Sequence, residues 1–585
     1  MTTASVPVEP TEPQEPPAPS LAVRVLNVTW ERVHLTIHLL ATPAIGADLA
    51  ADKPVDFEIF TGARAFPVDV TDHGDGRYDL VFNVTTFVDR RAIPNGTWRI
   101  RAVIDGQPDG VATLEASHLA ALDDAARVFL YNSNRSAYTV SFGISENDIE
   151  LEFQLRVYEF NQPPGKTSWR RFPKRIRKAL LGPNAKRRYA RWIYSFFRRT
   201  IGPRKNQILF ASEQRVAIEG NLRRVQERLI ERGLDERFSL RYSFRVPGNS
   251  EWKTTIRILY LLATSEIVLL DDYFAMLGNI EIDDRTKVIQ LWHAGSGFKA
   301  VGFSRFGNAG SPKLSNAHRA YTYAITGSEH LVHVYSEAFG IEPAAVIPTG
   351  LPRVDWFLDE ARTAEFTSEF YAEYPALKGK RVILFAPTFR GRSIKSAFYD
   401  YDLIDFAKLY ELCGPDTVVL FRMHHFVSTP ITIPAEYADR FFDFTKYPRG
   451  LDLLHVTDLL ITDYSSIIYE YSLLDRPMLF FAPDKVNYAA TRGFHRDFDE
   501  TAPGRVAMTF DEVLDAIRDG EFEVEKVAAF RAENFDRVDT GAADRVIDWL
   551  LLADPAPSAG RAAHATTHAD DAELNEERNQ EDEGL

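Results

Sequence analysis

Cysteine is all but missing: Cys413 is the only one in 585 residues. A single thiol excludes an internal disulfide and a thiolate zinc cluster, and it fits a reducing compartment. Long apolar runs are scarce as well. The best of them, Ile258 to Leu270, is short and holds Glu266, so nothing in the chain reads as a membrane-spanning helix. Met1 to Ser20 is rich in proline and acid, without the basic and then apolar pattern of a secretory signal. Acid is absent from one stretch. Between Lys166 and Lys205 there are 15 lysines and arginines and no Asp or Glu, in a chain whose formal net charge is −15. Cationic charge gathered into one segment of an acidic protein implies an anionic partner at that segment.

Apolar material is plentiful, with 45% hydrophobic and 12% aromatic residues, so most of the chain is expected to fold. Its length implies three or four folded units. Residues 1–20 read as a disordered leader and 554–585 as a disordered acidic tail. From 21 to 160, period-two runs such as Val33–Leu39, Tyr78–Val84, Thr97–Ile104 and Ala137–Phe142 alternate with turn clusters such as Asp72-His73-Gly74-Asp75-Gly76. This spacing predicts an all-β, sandwich-like accessory domain.

The segment 161–206 is basic, and within it Tyr189, Trp192, Ile193, Phe196 and Phe197 recur at helical steps. Arg187, Arg191 and Arg198 fall on the opposite face, with Arg188 beside them. An amphipathic helix of this kind suits an anionic membrane surface, against the alternative of a helix packing its aromatics on a neighbouring domain. Nucleic acid is disfavoured, because the aromatics are not interleaved with the charges.

Beyond residue 206, near-continuous apolar strands alternate with helices. Expected strands are Gln207–Ala211, Glu266–Leu270, Val288–Trp292, Tyr321–Thr326 and Ala345–Pro348, then Arg381–Ala386, Thr417–Met423, Leu459–Thr462 and Pro477–Phe481. The pattern predicts an α/β fold of two Rossmann-like lobes, 207–360 and 361–553, with a cleft between them. Ligands bind at the carboxyl ends of such strands, and four polar clusters fall there. His293 follows the third strand, with small residues and then Lys299, a base beside a phosphate cradle. Arg390 and Arg392 follow Arg381–Ala386 and offer bidentate grips on phosphate oxygens. Arg422, His424 and His425 end Thr417–Met423. Ser465 and Ser466 open a helix after Leu459–Thr462, either as an ordinary cap or as part of an anion site. Each has a bland reading alone; together they describe a pyrophosphate pocket.

The ordered series WHAGSGFKAVG, ITGSEH, PTGLPRVDWF, ILFAPTFRG, FRMHH, ITDYSSIIYEYSLLDRPMLFFAPD and RGFHRDFDETAPG resembles the CDP-glycerol:poly(glycerophosphate) glycerophosphotransferases of teichoic acid synthesis. The resemblance covers roughly residues 207 to 550. It implies a GT-B fold, acceptor chemistry on the first lobe, the nucleotide donor on the second, and neither metal nor other cofactor. It also implies a CDP-glycerol or CDP-ribitol donor, a lipid-linked polymer acceptor, and work at the cytoplasmic side of the membrane. By the same resemblance His293 is the proposed base and His424 a stabiliser of the donor phosphates, with Lys299, Arg390 and Arg422 near them. Ser465 and Ser466 match a serine pair at the donor, and Asp484 falls in the downstream motif. Two departures stand out. The loop after His293 is one residue longer than the usual Gly-Thr-Pro-Leu-Lys, and His425 occupies the usual proline position, so either His424 or His425 is the working residue. A nucleotide-sugar glycosyltransferase and a noncatalytic polymer- or membrane-binding protein are the competing readings.

Overall fold

The computed structural model describes residues 19–44, 54–62, 64–87, 90–114, 126–131, 136–144, 152–161, 183–245, 252–293, 297–307, 311–314, 316–391, 396–491 and 493–553. The expected leader up to residue 18, the acidic tail, the basic residues from Lys166 to Lys178, the loop Ala294–Ser296 and Arg392 lie outside these residues. The chain divides into two compact units, Met1–Gln162 and Pro163–Leu585.

The first unit is built of strands alone among its described elements. They are β1 (Leu21–Glu31), β2 (His34–Pro43), β3 (Val55–Thr61), β4 (Arg64–Pro67), β5 (Asp69–Gly74), β6 (Arg77–Asn83), β7 (Gly96–Ile104), β8 (Gln107–Thr113), β9 (Ala126–Tyr131), β10 (Ser136–Ile144) and β11 (Phe153–Asn161). All eleven join one hydrogen-bonded network, ordered β5-β6-β2-β1-β8-β7-β11-β10-β9 with β3 and β4 branching from β7. Alternation places Val28, Ile37, Leu80, Ile100, Val140 and Leu155 fully inside. Trp30 of β1 meets Phe129 of β9 and Phe142 of β10, strands remote from it in the sheet order. The network therefore folds back on itself, giving a sandwich-like core from one continuous sheet instead of two separate ones.

The second unit carries two parallel sheets. In the first, β12 (Arg204–Ser212), β13 (Ser239–Phe244), β14 (Ser265–Leu270), β15 (Lys287–Gln290), β16 (Tyr323–Ile325) and β17 (Val346–Ile347) run in the order β13-β12-β14-β15-β16-β17. In the second, β18 (Arg381–Phe385), β19 (Thr417–Phe421), β20 (Phe441–Asp443), β21 (Leu459–Thr462), β22 (Met478–Phe481) and β23 (Arg505–Ala507) run β20-β19-β18-β21-β22-β23. Both orders reverse direction once, between β12 and β14 and between β18 and β21. Such reversals open a crevice at the carboxyl edge of the sheet.

Strands β13, β20 and β23 were not expected, because β13 and β23 are only partly buried and β20 has three residues. The strand expected to reach Trp292 stops at Gln290. Trp292 turns into the left-handed region at φ 47°, and its N–H donates to the Gln290 side chain at 2.9 Å instead of to a neighbouring strand. His293 thus leaves the sheet on a sharply turned backbone. The last helical segments, Ala542–Arg545 and Val546–Leu552, return to the first sheet, where Arg228 of helix Gly220–Glu231 pairs with Asp544 and Arg232, at the cap of that helix, pairs with Asp548.

Candidate active site

Ser212, at the end of β12, and the Asp271-Asp272 pair, just past β14, meet at the reversal point of the first sheet. The Ser212 hydroxyl donates to Asp272 Oδ2 at 2.7 Å. The His293 ring comes to the same place from the end of β15. Its Nδ1 lies 3.1 Å from Asp272 Oδ1 and 2.9 Å from the Asp271 carbonyl oxygen. A carbonyl oxygen only accepts, so Nδ1 carries the proton and Nε2 keeps its lone pair. Burial pushes the Asp271 carboxyl up and the neighbouring Asp272 adds to the rise, while Arg215 at 3.0 Å and the charge of His293 moderate it. Burial would raise Asp272 as well, yet the hydrogen bond and charge of His293, with Ser212 and Arg215, hold it below the usual carboxylate range.

The turn before His293 is held from behind. Asn221 Nδ2 donates to the carbonyl oxygens of Leu291, at 3.0 Å, and Trp292. Its Oδ1 accepts from the backbone N–H of Arg353 at 2.9 Å. The Arg353 guanidinium then donates both to the His293 carbonyl and to the buried Glu470, in helix Ile467–Ser472 that follows β21. One arginine therefore bridges the two sheets' loops.

The second sheet supplies the other wall. A cavity of about 190 Å³ is lined by His293, Phe298, Lys299, Tyr464, Ser466 and Tyr469 among others, drawing residues from both halves of the unit. Lys299 bridges to Phe494, and Phe298 sits among Phe480, Phe494 and Phe498, so the loop past His293 is stitched to the segment after β22. Ser466 occupies the cap position of helix Ile467–Ser472 without making a side-chain cap bond. Ser465 Oγ accepts from the Ile467 N–H at 3.5 Å. A larger hollow of about 570 Å³ by Lys380, Tyr410, Pro415 and Arg440 lies at the amino ends of β18 and β19, away from these groups.

His424 and His425 follow β19 with their rings stacked at 4.4 Å. The Phe426 N–H donates to His424 Nδ1 at 3.2 Å, so its ring carries the proton on Nε2. Burial, helped by the charges of His425 and Lys299, pushes His424 down to about 4, so it is neutral near pH 7. His425 is exposed, and burial of part of its ring with the Arg422 charge lowers it as well. Arg422 turns from the cavity lining and donates to the carbonyls of Phe444 and Tyr447, both at 2.9 Å. A Cβ on Gly450 would come within 2.0 Å of that guanidinium, so the close approach requires glycine. Arg390 donates through Nε and Nη2 to Asp484 at 2.6 and 2.9 Å and through Nη1 to Asp463 at 2.7 Å. Tyr464 adds a hydroxyl to Asp484 at 3.0 Å. Arg390 and Asp484 are thus joined in an ion-pair cluster, and Arg390 commits most of its donors to carboxylates.

His293, Lys299 and Ser466 line one cavity, and Lys299 carries the electrostatic contact to His424. Sequence reasoning missed Asn221, Asp271, Asp272, Gln290, Arg353 and Glu470. The adjacent aspartates at the end of β14 were the one local signal. Among the described residues no group of three or more His, Cys, Asp or Glu side chains could hold a metal ion.

A model of the CDP-Glycerol:Poly(glycerophosphate) glycerophosphotransferase family matches residues 193–552, more than half of the chain. The chain belongs to this family. It is 39% identical over 364 residues to the teichoic acid poly(ribitol-phosphate) polymerase of Bacillus spizizenii, covering 62% of this chain and 58% of that one. It is 38% identical to the teichoic acid ribitol-phosphate polymerase TarK of Staphylococcus aureus, over 60% of this chain and 69% of that protein. The teichoic acid glycerol-phosphate primase of Bacillus subtilis is 28% identical over 47% of this chain and 70% of its own length. This member of the family therefore spans little more than half of the first of these relatives. Its fold is that of the wall teichoic acid polymerase TagF, with a TM-score of 0.51, 22% identity, and coverage of 66% of this chain and 97% of the other, in a structure soaked with CDPG.

Proposed function

We propose that this chain transfers an alditol phosphate, ribitol phosphate in the first place, from a CDP-alditol to a hydroxyl of a membrane-linked wall polymer and releases CMP. The ribitol reading rests on relatives: the three named for ribitol phosphate polymers are 37–39% identical over 350–364 residues, whereas those named for glycerol phosphate are 28–29% identical over 281–283 residues or 34% over only 201. The two sheets form a GT-B pair of lobes, acceptor on the first and nucleotide on the second, and the observation that carries the reading is the cavity where His293 and Lys299 face Ser466.

His293 Nε2 takes the proton of the acceptor hydroxyl. That oxygen bonds to the alditol-bearing phosphorus, the bond from this phosphorus to the CMP oxygen breaks, and CMP leaves with the electron pair. Lys299, the Nε2–H of neutral His424 and the Ser465-Ser466 pair meet the charge spread over the phosphates. Arg390 and Asp484 shape the donor wall, and Arg422 sets the loop 444–450 beside it. His425 stands outside the reaction.

The enzyme works at the cytoplasmic face of the membrane, held there peripherally. Among the described residues no helix is long and apolar enough to cross it. Support for a surface contact comes from helix Pro183–Thr200, where Tyr189, Trp192 and Phe196 are exposed beside Lys186, Arg187 and Arg188.

The test is incubation with CDP-ribitol, CDP-glycerol and a panel of UDP-sugars in the presence of a lipid-linked primer, with products weighed by mass. Primer growth by ribitol phosphate units with CMP release is expected. UDP release with sugar transfer would overturn the assignment in favour of a glycosyltransferase. His293→Ala is expected to lower turnover by at least about 10²-fold.

A further inference from the structure

The carboxylate behind His293 has no role in the reaction as described so far. Asp272 is 3% exposed, and all three of its oxygens are fixed. Oδ1 faces His293 Nδ1 at 3.1 Å, Oδ2 accepts from Ser212, and its backbone oxygen accepts from Gln290 Nε2 at 3.0 Å. Gln290 also holds the N–H of Trp292, so the same side chain that anchors the aspartate backbone anchors the turned residue before the histidine. A carboxylate fixed on one ring nitrogen of a histidine whose other nitrogen faces a cavity is the arrangement that sets a general base.

The geometry points to Asp272 as the positioning residue of His293. It keeps the ring in the Nδ1–H tautomer, aims Nε2 into the cavity and faces the imidazolium that forms when the acceptor proton arrives. This deepens the proposed function and rests on His293 being the proton acceptor. Atoms balance simply: the proton moves from the acceptor hydroxyl to Nε2 and stays there until the ring returns it to solvent, while Asp272 neither gains nor loses one. The other charges around the ring are accounted for. Asp271 lies beside Asp272 with Arg215 against it, Arg353 touches the His293 carbonyl, and Lys299 lines the same cavity. The buried His318, against the far side of Trp292, is pushed down to about 3 by burial and is neutral.

An asparagine at this position presents an amide that can donate to Nδ1, which moves the ring proton to Nε2 and removes the base. Asp272→Asn is therefore expected to lower kcat about 10²-fold or more at neutral pH while the KM for the CDP-alditol stays within about twofold. In the residual activity, the acidic limb of the kcat/KM profile is expected to move to lower pH, because the imidazolium loses its facing carboxylate. A merely structural role would alter the unfolding midpoint and leave that limb in place. Ser212→Ala, which removes one donor to Asp272 without touching the ring, is expected to lower kcat about fivefold at unchanged KM. An Asp272→Asn enzyme with kcat within about threefold of wild type and an unmoved acidic limb overturns the inference. If that variant does not fold, the serine variant decides: full kcat in Ser212→Ala overturns it. His293→Ala is run beside both. Wild-type turnover there brings down the base assignment itself, whereas a dead His293→Ala with an intact Asp272→Asn confines the failure to Asp272.

Discussion

Arg390 shows how a residue is recognised as important while its work is read differently. At the end of an apolar strand, a guanidinium looks free to grip phosphate. In the fold it is largely buried between Asp463, itself 1% exposed in its side chain, and Asp484. A buried carboxylate left without its cation is costly, so Arg390→Met is expected to lower the unfolding free energy by about 3–5 kcal/mol, read from urea midpoints. Arg390→Lys restores the charge without the fork and is expected to recover only part of it. If Arg390 instead met only the donor, both variants would raise KM at unchanged stability. His293 and Ser466 were legible because each stands within four residues of a strand end, and Lys299 because it closes the small-residue loop that follows His293. Asn221 and Arg353 were not, since their partners lie 71 and 117 residues away and nothing local in the sequence announces a long-range hydrogen bond, and Asp272, 21 residues from His293, was marked only by the aspartate beside it.

At the scale of elements, helix Pro183–Thr200 was visible in its 3.6-residue periodicity, but its apolar stripe was not one surface. Ile193, Phe197 and the fully buried Tyr194 pack on the core beneath, and Arg191 and Arg198 donate to the carbonyls of Asn279 and Glu281. What is left outward is narrower: Trp192 at 68% and Phe196 at 51% exposure, stacked on each other, with Tyr189 one turn before. Packing against a neighbour divides a stripe that periodicity alone shows as continuous. The division makes the membrane proposal sharper. Trp192→Ser with Phe196→Ser is expected to cut binding to anionic vesicles at least about tenfold without lowering the unfolding midpoint, whereas Phe197→Ser lowers the midpoint. Sedimentation with vesicles at low and high salt checks both, since the contribution of Lys186, Arg187 and Arg188 is screened as salt rises. Equal binding by the double variant would leave the aromatics as plain surface.

The response of the whole molecule to acid follows from histidines that the fold keeps neutral. His318 lies among Tyr273, Trp292, Tyr321 and Phe339, with Nδ1 at 3.0 Å from the Tyr321 hydroxyl, and burial pushes it down to about 3 from an ordinary 6.5. His424 is pushed down to about 4, again chiefly by burial. In the window between 6.5 and these values the unfolded chain binds protons that the folded chain refuses. Stability is therefore complete above about pH 6.5 and is lost as pH falls. At pH 5 the separation from an unfolded imidazole is about 1.5 units, so His318 alone accounts for a loss of about 2 kcal/mol relative to neutral pH. His318→Gln keeps a hydrogen-bonding group towards Tyr321 and removes the titration. Its unfolding free energy is expected to fall less than that of the wild type between pH 7 and pH 5, by about the same 2 kcal/mol. An unchanged pH slope in this variant would mean that His318 takes up its proton inside the fold. Because the ring packs behind Trp292, the residue that turns the chain towards His293, such an uptake would also be felt as lost turnover at the same pH.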